Sequence, residues 1–451
     1  MRKSLMKTNL EELSPVKKKL HIEVDSQEVQ KKIDESYRKL GKRAKIPGFR
    51  PGKVPRRILE TYFGTQVEED VTRDLINETF PKAIEESQAF PLGAPLLEKE
   101  PLKQGQNFKY SAVLETRPLF EVKDYLGLEV EREIYTVTDE DVHQQLGQIR
   151  EANGKLDPLP EDHPVKADDF VVLDYEGFEG DRAMDGIQAS NFLLKVGSNR
   201  FHPEFEKSLV GLKKGDEADI SVDFEDDYHH NSLAGKKVRF KVKLLDVKEM
   251  VLPDLDDAFA QGISKDFKTL DDLKSKLRES LGDQEEKRID RAVKQHLMEK
   301  ISEGVQIELP HTLVESEVAY AVENVKQNLQ RSGSSIEKAG LSEQKLREEF
   351  RPAAEKRVKE MLILGEIANQ EGLSVDEQDL AEGFEELAAN TGQDAETLRK
   401  YYEARGMLDS LKENLLEQKT LNYLVEHAKI SEVDKALANN QKPSEKQEGD
   451  Q

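Results

Sequence analysis

Cysteine and tryptophan are absent from the 451-residue chain. Without thiols there are no disulfides, thiolate nucleophiles, iron–sulfur clusters or cysteine-ligated zinc sites, and redox chemistry is excluded. Aromatic residues are scarce, at 6%. Long apolar runs are missing too: the longest stretch without Asp, Glu, Lys or Arg runs from Ser87 to Leu97, against the roughly 20 apolar residues a membrane-spanning helix needs. No membrane partner is expected. The start, Met1-Arg2-Lys3-Ser4-Leu5-Met6-Lys7, is basic but has no apolar segment behind it, so it does not read as a secretory signal. A cytoplasmic location is the expectation, with Met6 as plausible a start as Met1. Positive charge is in deficit. Lys and Arg number 68 against 91 Asp and Glu, a net −23, which disfavours bulk binding to nucleic acid or anionic lipid.

What is present is length and uneven charge. The length predicts about three domains, and the 35% of charged residues exceeds the typical ~25%. Between Lys31 and Arg57 eleven basic residues face two acidic ones, a local balance of +9. Around this run, Lys17–Val24 and Phe108–Leu114 alternate like strands, while Val29–Leu40 and Val67–Ala89 carry helical spacing. These mark an α+β domain over 1–118. A linker is expected over 119–153, before the turn-forming Asp157-Pro158-Leu159-Pro160 string. Strand-like runs at Phe170–Phe178, Glu217–Phe224 and Val238–Val247, with a short helix after Pro203, define a β-rich domain over 154–249. Beyond Leu252-Pro253-Asp254, apolar residues recur at steps of three or four, from Leu270 to Ile301, Val314 to Leu329, Leu346 to Ile367 and Leu408 to Leu424. Thr269-Leu270-Asp271-Asp272 and Thr312-Leu313-Val314-Glu315 read as their caps. An all-α domain over 250–431 and a disordered tail over 432–451 complete this α+β multidomain chain.

Three motifs bear on chemistry. Ile46-Pro47-Gly48-Phe49-Arg50-Pro51-Gly52-Lys53-Val54-Pro55 is a turn-rich loop with an aromatic at its tip beside two cations. It suits docking on an RNA-rich particle with an acidic protein partner, and it suits equally a solvated basic loop. Its G-x-x-x-G-K spelling has one residue too few between the glycines and Val54 where Ser or Thr is needed, so nucleotide hydrolysis is rejected. The second constellation, Tyr175, Phe178, Phe192, Phe201, Phe205, Tyr228 and Phe240, is concentrated in the β-rich domain. It reads either as ordinary core or as an apolar bowl for an X-Pro segment, with Asp185 and Tyr228 supplying polar contacts. Prolyl isomerisation suits a site without a nucleophile, because its ~18–20 kcal/mol barrier comes from amide conjugation alone. The third, His229-His230, lacks metal-ligand spacing, and neither a metal nor a cofactor is expected.

With these residues in view, the chain resembles the bacterial trigger factor family from Leu20 to about Ile430. The Gly48-Phe49-Arg50-Pro51-Gly52-Lys53-Val54-Pro55 string matches that family's ribosome-docking signature at its fixed positions. The resemblance implies an N-terminal ribosome-binding domain, an FKBP-like prolyl isomerase domain of sheet and helix, and an elongated helical C-terminal domain that cradles nascent chains. Phe49, Arg50 and Lys53 would dock beside the exit tunnel of the large subunit, with Gly48, Pro51 and Gly52 shaping the loop. Tyr175, Phe192, Phe201, His202, Phe205, Tyr228 and Phe240 would line the isomerase pocket, with Asp185 as its polar neighbour. His202 stands where the family has an aliphatic residue, Glu204 where it has glycine and Met184 where it has an aromatic. These changes imply a more polar bowl and weakened catalysis.

The expected function is therefore an ATP-independent, ribosome-docked chaperone that binds nascent and unfolded polypeptides and carries a prolyl isomerase domain, with a homodimer when off the ribosome. The competing reading is a free cytosolic isomerase whose helical part recruits clients or dimerises. An RNA-binding protein using Lys31–Arg57 is disfavoured, because only Tyr37 and Phe49 interleave the basic residues. No specific nucleic-acid sequence is expected as a partner.

Overall fold

The computed structural model describes residues 6–47, 49, 53–226, 228 and 232–434, with the side chain of Asp185 outside that description. At the N-terminus, β1 (Met6–Glu12), β2 (Lys17–Val24), α1 (Ser26–Arg43), α2 (Arg56–Ser87), β3 (Leu96–Lys99) and β4 (Phe108–Glu115) form an antiparallel sheet in the order β1-β2-β4-β3, with two helices. Alternation in β2 sends Leu20, Ile22 and Val24 inward to meet Val29 and Ile33 of α1, Val71 and Leu75 of α2, and Phe108 of β4. Asp25 starts α1 by accepting the N–H of Gln27 at 2.8 Å. One polar pair lies in this core, between Thr79 Oγ1 and the Tyr110 hydroxyl at 2.7 Å.

The segment expected to be a linker is packed for much of its length. Val122 and Val130 are buried among residues of the C-terminal helices, and Tyr125 packs against them. Strand β5 (Glu129–Ile134) and helix α3 (Asp139–Ala152) follow. The helix begins with a reciprocal Thr138–Asp141 capping box and buries Leu146 against Phe259 and Leu273.

The middle domain comprises β6 (Lys155–Pro158), β7 (Phe170–Glu179), β8 (Arg182–Lys195), α4 (Pro203–Leu209), β9 (Glu217–Asp223) and β10 (Lys237–Val251). Strand β10 pairs along one edge with β7, which pairs in turn with β8. Its other edge is shared by β9 and β6. Helix α4 lays Phe205 and Leu209, both fully buried, onto this sheet.

The remainder is helical: α5 (Asp257–Ile263), α6 (Leu270–Gly304), α7 (His311–Arg331), α8 (Glu343–Glu371), α9 (Glu377–Thr391), α10 (Ala395–Arg405) and α11 (Leu408–Glu426), with β11 (Lys429–Asp434) paired to β5. The Thr269–Asp272 box forms as read from the sequence. Several small cores replace one large one, centred on Leu297 and Ile367, on Val318 and Val358, on Leu380 and Phe384, and on Val322 and Leu346. Glu371, at the end of α8, accepts the hydroxyls of Tyr125 at 2.6 Å and Tyr423 at 2.7 Å. Burial and that carboxylate push the Tyr125 phenol up to about 12, so it stays a donor. By contact density the described residues form two units, 6–132 with 290–433, and 133–289 with 434.

Helix α7 departs from its expected cap. Pro310 precedes it and gives no side-chain bond. Thr312 lies inside the first turn, and its N–H and hydroxyl both donate to Glu115 of β4, each at 2.7 Å. A carboxylate 197 positions away thus does the capping. The backbone at Gly93 passes so close that a Cβ there would stand 2.6 Å from Thr312 Cγ2, and Ser14 Oγ adds a 3.0 Å bond to Glu308. Burial raises the Glu115 carboxyl, but the Thr312 hydrogen bonds and Lys17 outweigh it and hold the group below its ordinary value.

Glu115→Gln is therefore expected to lower stability by about 1 kcal/mol and to loosen the first turn of α7. Because the folded value is depressed, the stabilisation is full above the unfolded value of 4.5 and is lost as pH falls through the lower folded value. Hydrogen exchange at residues 312–316 should show this acid-dependent step in the wild type and lack it in Glu115→Gln. Identical profiles would refute the assignment.

Candidate functional site

The aromatic bowl is built by a change of parity in β8. Leu173 of β7 pairs with Phe192 and Tyr175 pairs with Ala189, so Ser190 and Asn191 together face Asp174. This is a β-bulge. Asn191 adopts a left-handed φ of 53° and donates its N–H to Asp174 Oδ1 at 2.8 Å. Ala189 and Phe192, three positions apart, would otherwise face opposite sides of the sheet. With the bulge, Phe192 joins Leu173 and Tyr175 on the inner face. The alternation of this strand is broken at the same point, which hid it from the periodicity reading.

Tyr175 is the hub. Its ring lies edge-on to Phe192 at 5.5 Å, Phe201 at 5.5 Å, Phe205 at 6.4 Å and Phe240 at 6.0 Å. Phe205 and Phe240 are fully buried and form the floor; Tyr175, Phe192, Phe201 and Tyr228 are half-buried and form the walls. Burial raises the Tyr175 and Tyr228 phenols, keeping both neutral. His202 caps α4, its Nδ1 accepting the Glu204 N–H at 3.3 Å, while its ring packs 5.2 Å from Phe224 and 6.1 Å from Tyr228. Glu204 is exposed, and Met184 packs against the domain core.

Seven of the eight expected pocket residues are thus gathered around one helix and one sheet face, and the eighth, Asp185, lies in β8 with its side chain undescribed. Phe178 stands outside this cluster, under the cations of Arg239 and Lys241 at 5.5 and 4.9 Å. The sequence reading missed Phe224, which lies 4.7 Å from Tyr228 and 6.2 Å from Phe240. Its place at the end of the Glu217–Phe224 alternation was the available signal. It also missed Glu206, a buried carboxylate on α4, which nothing in the string distinguishes from Glu204. A groove of about 840 Å³ lies elsewhere on the sheet, lined by Asp174, Glu176, Glu217, Asp219, Lys241 and Lys243. Those side chains alternate with the buried Val242 and Leu244 of β10 and its partners, so the groove is on the polar outer face and offers no apolar seat for proline.

Of the expected docking loop, Gly48, Arg50, Pro51 and Gly52 lie outside the described residues, as do His229, His230 and residues 435–451. Phe49 is 39% exposed, and Lys53 and Arg57 are exposed. Arg56 is otherwise engaged: it bonds Asp34 at 2.5 Å and Glu60 at 2.8 Å, and stacks 5.2 Å over Tyr37. Part of the +9 run therefore serves the contact between α1 and α2.

Comparison with known proteins agrees with this layout. Family models described as bacterial trigger factor protein and its C-terminus match residues 6–149 and 269–426, and one described as FKBP-type peptidyl-prolyl cis-trans isomerase matches 161–245. The trigger factor of Geotalea uraniireducens (strain Rf4) is 36% identical over 432 residues, covering 96% of this chain and 100% of its own. That of Syntrophotalea carbinolica (strain DSM 2380 / NBRC 103641 / GraBd1) is 37% identical, covering 98% and 100%. That of Halalkalibacterium halodurans (strain ATCC BAA-125 / DSM 18197 / FERM 7344 / JCM 9153 / C-125) is 37% identical, covering 91% and 96%.

The division into floor and walls is testable by calorimetry. Phe205→Ala or Phe240→Ala should destabilise the sheet domain by about 3–5 kcal/mol, the range for a buried phenylalanine. Phe192→Ala, on a half-exposed wall, should cost well under half of that. Equal losses at all three positions would contradict the assignment.

Proposed function

The chain belongs to the bacterial trigger factor family, chaperones with an FKBP-type prolyl isomerase domain, and we propose that it docks on the ribosome and receives nascent polypeptides there. The observation that carries this reading is Phe49: a large apolar side chain, 39% exposed, followed by the exposed cations Lys53 and Arg57 in a run with a +9 balance inside a chain of net −23. Charge of that kind steers approach to an RNA-rich particle, and a desolvated aromatic then anchors it. By the family resemblance the partner is the large-subunit protein beside the exit tunnel, and Phe49, Arg50 and Lys53 make the contact. The place of action is then the cytoplasm, and off the ribosome the chain pairs with a second copy.

Client binding is assigned to the helical domain and its surroundings. Exposed apolar side chains such as Tyr320, Leu341, Tyr401 and Met407 are spread among charged residues, and many weak contacts of this kind hold an unfolded segment without trapping it. Release then needs no nucleotide.

The bowl accepts the X-Pro segment. Tyr175, Phe192, Phe201 and Tyr228 enclose the proline ring over Phe205 and Phe240, with His202 at the rim and Asp185 as polar neighbour. No covalent step is required. Moving the amide out of water disfavours its charge-separated resonance form, which lowers the double-bond character that creates the ~18–20 kcal/mol barrier.

Docking is tested by co-sedimentation with ribosomes at matched, near-physiological salt. The wild type should pellet and a Phe49→Ala, Arg50→Ala, Lys53→Ala protein should remain in the supernatant. Equal behaviour of the two would favour the free-isomerase reading. Salt-steep binding of both to naked RNA would favour a non-specific basic patch.

A further inference from the structure

The domain that carries the bowl holds one buried carboxylate that the chemistry above does not use. Glu206 is 1% exposed and follows Phe205 on α4. Its Oε2 accepts the N–H groups of Gly197 at 2.8 Å and Asn199 at 3.1 Å. Its Oε1 accepts the N–H of Phe201 at 2.9 Å and the Ser198 hydroxyl at 3.5 Å. All four donors belong to one five-residue segment between β8 and α4. Gly197 and Asn199 have left-handed φ values of 91° and 55°, which turns successive N–H groups toward a common point. This is the geometry of an anion-binding nest, and here the anion is a side chain of the protein itself.

A buried carboxylate is costly, and stability alone is often served as well by an apolar side chain of similar size. The segment it holds ends at Phe201, whose ring lies 5.5 Å from Tyr175, 6.4 Å from Phe192, 4.3 Å from Phe205 and 5.5 Å from Phe240. Phe201 therefore joins wall to floor, and its backbone N–H is the last of the donors bound to Glu206. We propose that Glu206 is a positioning residue for prolyl isomerisation: it fixes the Gly197–Phe201 segment and so the angle at which Phe201 closes the bowl. The proposal rests on the bowl being the X-Pro site. Glu206 touches no substrate and acts through Phe201.

Since both oxygens face donors, glutamine cannot replace the carboxylate although it has the same shape. Its amide nitrogen must oppose either the Gly197 and Asn199 N–H groups or that of Phe201. The test uses the full chain as wild type, E206Q, F201A and the double variant, with kcat/KM measured on a short X-Pro peptide and folding followed by calorimetry. Each single variant should lose roughly tenfold or more in kcat/KM, and the double variant should fall no further than F201A, because the two act as one unit. A purely structural role predicts that E206Q costs the same factor with and without Phe201, and that result would overturn the proposal. If E206Q does not fold, E206D, which keeps the charge on a shorter stem, takes its place in the cycle. Failure of both to fold would assign Glu206 to stability alone and overturn it as well. An unchanged F201A would remove the bowl reading and this inference together; a depressed F201A beside an unchanged, folded E206Q would remove only the inference.

Discussion

Backbone N–H groups at helix starts and tight turns must find acceptors when they leave water, and in this chain many of those acceptors are carboxylates. Asp25, Asp141, Asp256, Asp272, Asp376 and Asp394 each accept N–H groups at the beginning of a helix or in its capping box. Asp169 and Asp216 take the N–H groups of Lys166 and Lys213 in the turns around the isomerase sheet, both at 2.8 Å. Glu115 and Glu206 extend the same device over distance, one from a strand to a far helix and the other from a helix to the loop before it. The acidic excess that disfavours bulk binding to nucleic acid is thus also structural: part of it is consumed as acceptor capacity. Within the basic run Lys31, Lys32 and Arg56 are paired with Glu28, with Glu78, and with Asp34 and Glu60, while Lys53 and Arg57 stand exposed.

The scarcity of aromatic residues sharpens the meaning of their clustering. Tyr175, Phe192, Phe201, Phe205, Phe224, Tyr228 and Phe240 form one connected set of ring contacts, most of them edge-to-face, within a single domain. A core alone needs no such geometry, since aliphatic side chains fill space as well. Edge-to-face packing leaves ring faces available, which is what the proposed seat for a proline ring uses. The reaction asks for nothing else: no bond to heavy atoms forms or breaks, so a site without a nucleophile suffices.

Much of this was legible in the string and some was not, for identifiable reasons. Strand β2 and helices α6, α8 and α11 were legible from their apolar spacing, β2 facing one core and each of the helices serving two or three small ones. Strand β8 did not, because the bulge at Ser190 and Asn191 shifts the side-chain alternation midway. The 119–153 stretch read as a linker because Val122, Tyr125 and Val130 bury themselves in a core whose other members lie some 170 to 300 positions later, a pairing that local pattern cannot reveal. The cap of α7 failed for the same reason: Thr312 has the right residue type, but its acceptor comes from β4. The aromatic cluster was legible because aromatics are rare enough to count, whereas Glu206 stayed hidden among 91 acidic residues.

His202 shows how far residue type alone can mislead about a site's polarity. Read in sequence, a histidine in place of an aliphatic side chain makes the bowl more polar. In the fold its Nδ1 accepts the Glu204 N–H. Its ring packs beside Phe224 and Tyr228, so part of the ring's polarity is turned onto the α4 backbone. Glu204, the other substitution, points to solvent. The cap that His202 supplies also opens the helix from which Phe205 reaches the floor and Glu206 reaches the loop. A residue that looked like an erosion of the pocket is, by its bonds, one of the groups that holds the pocket's helix in place.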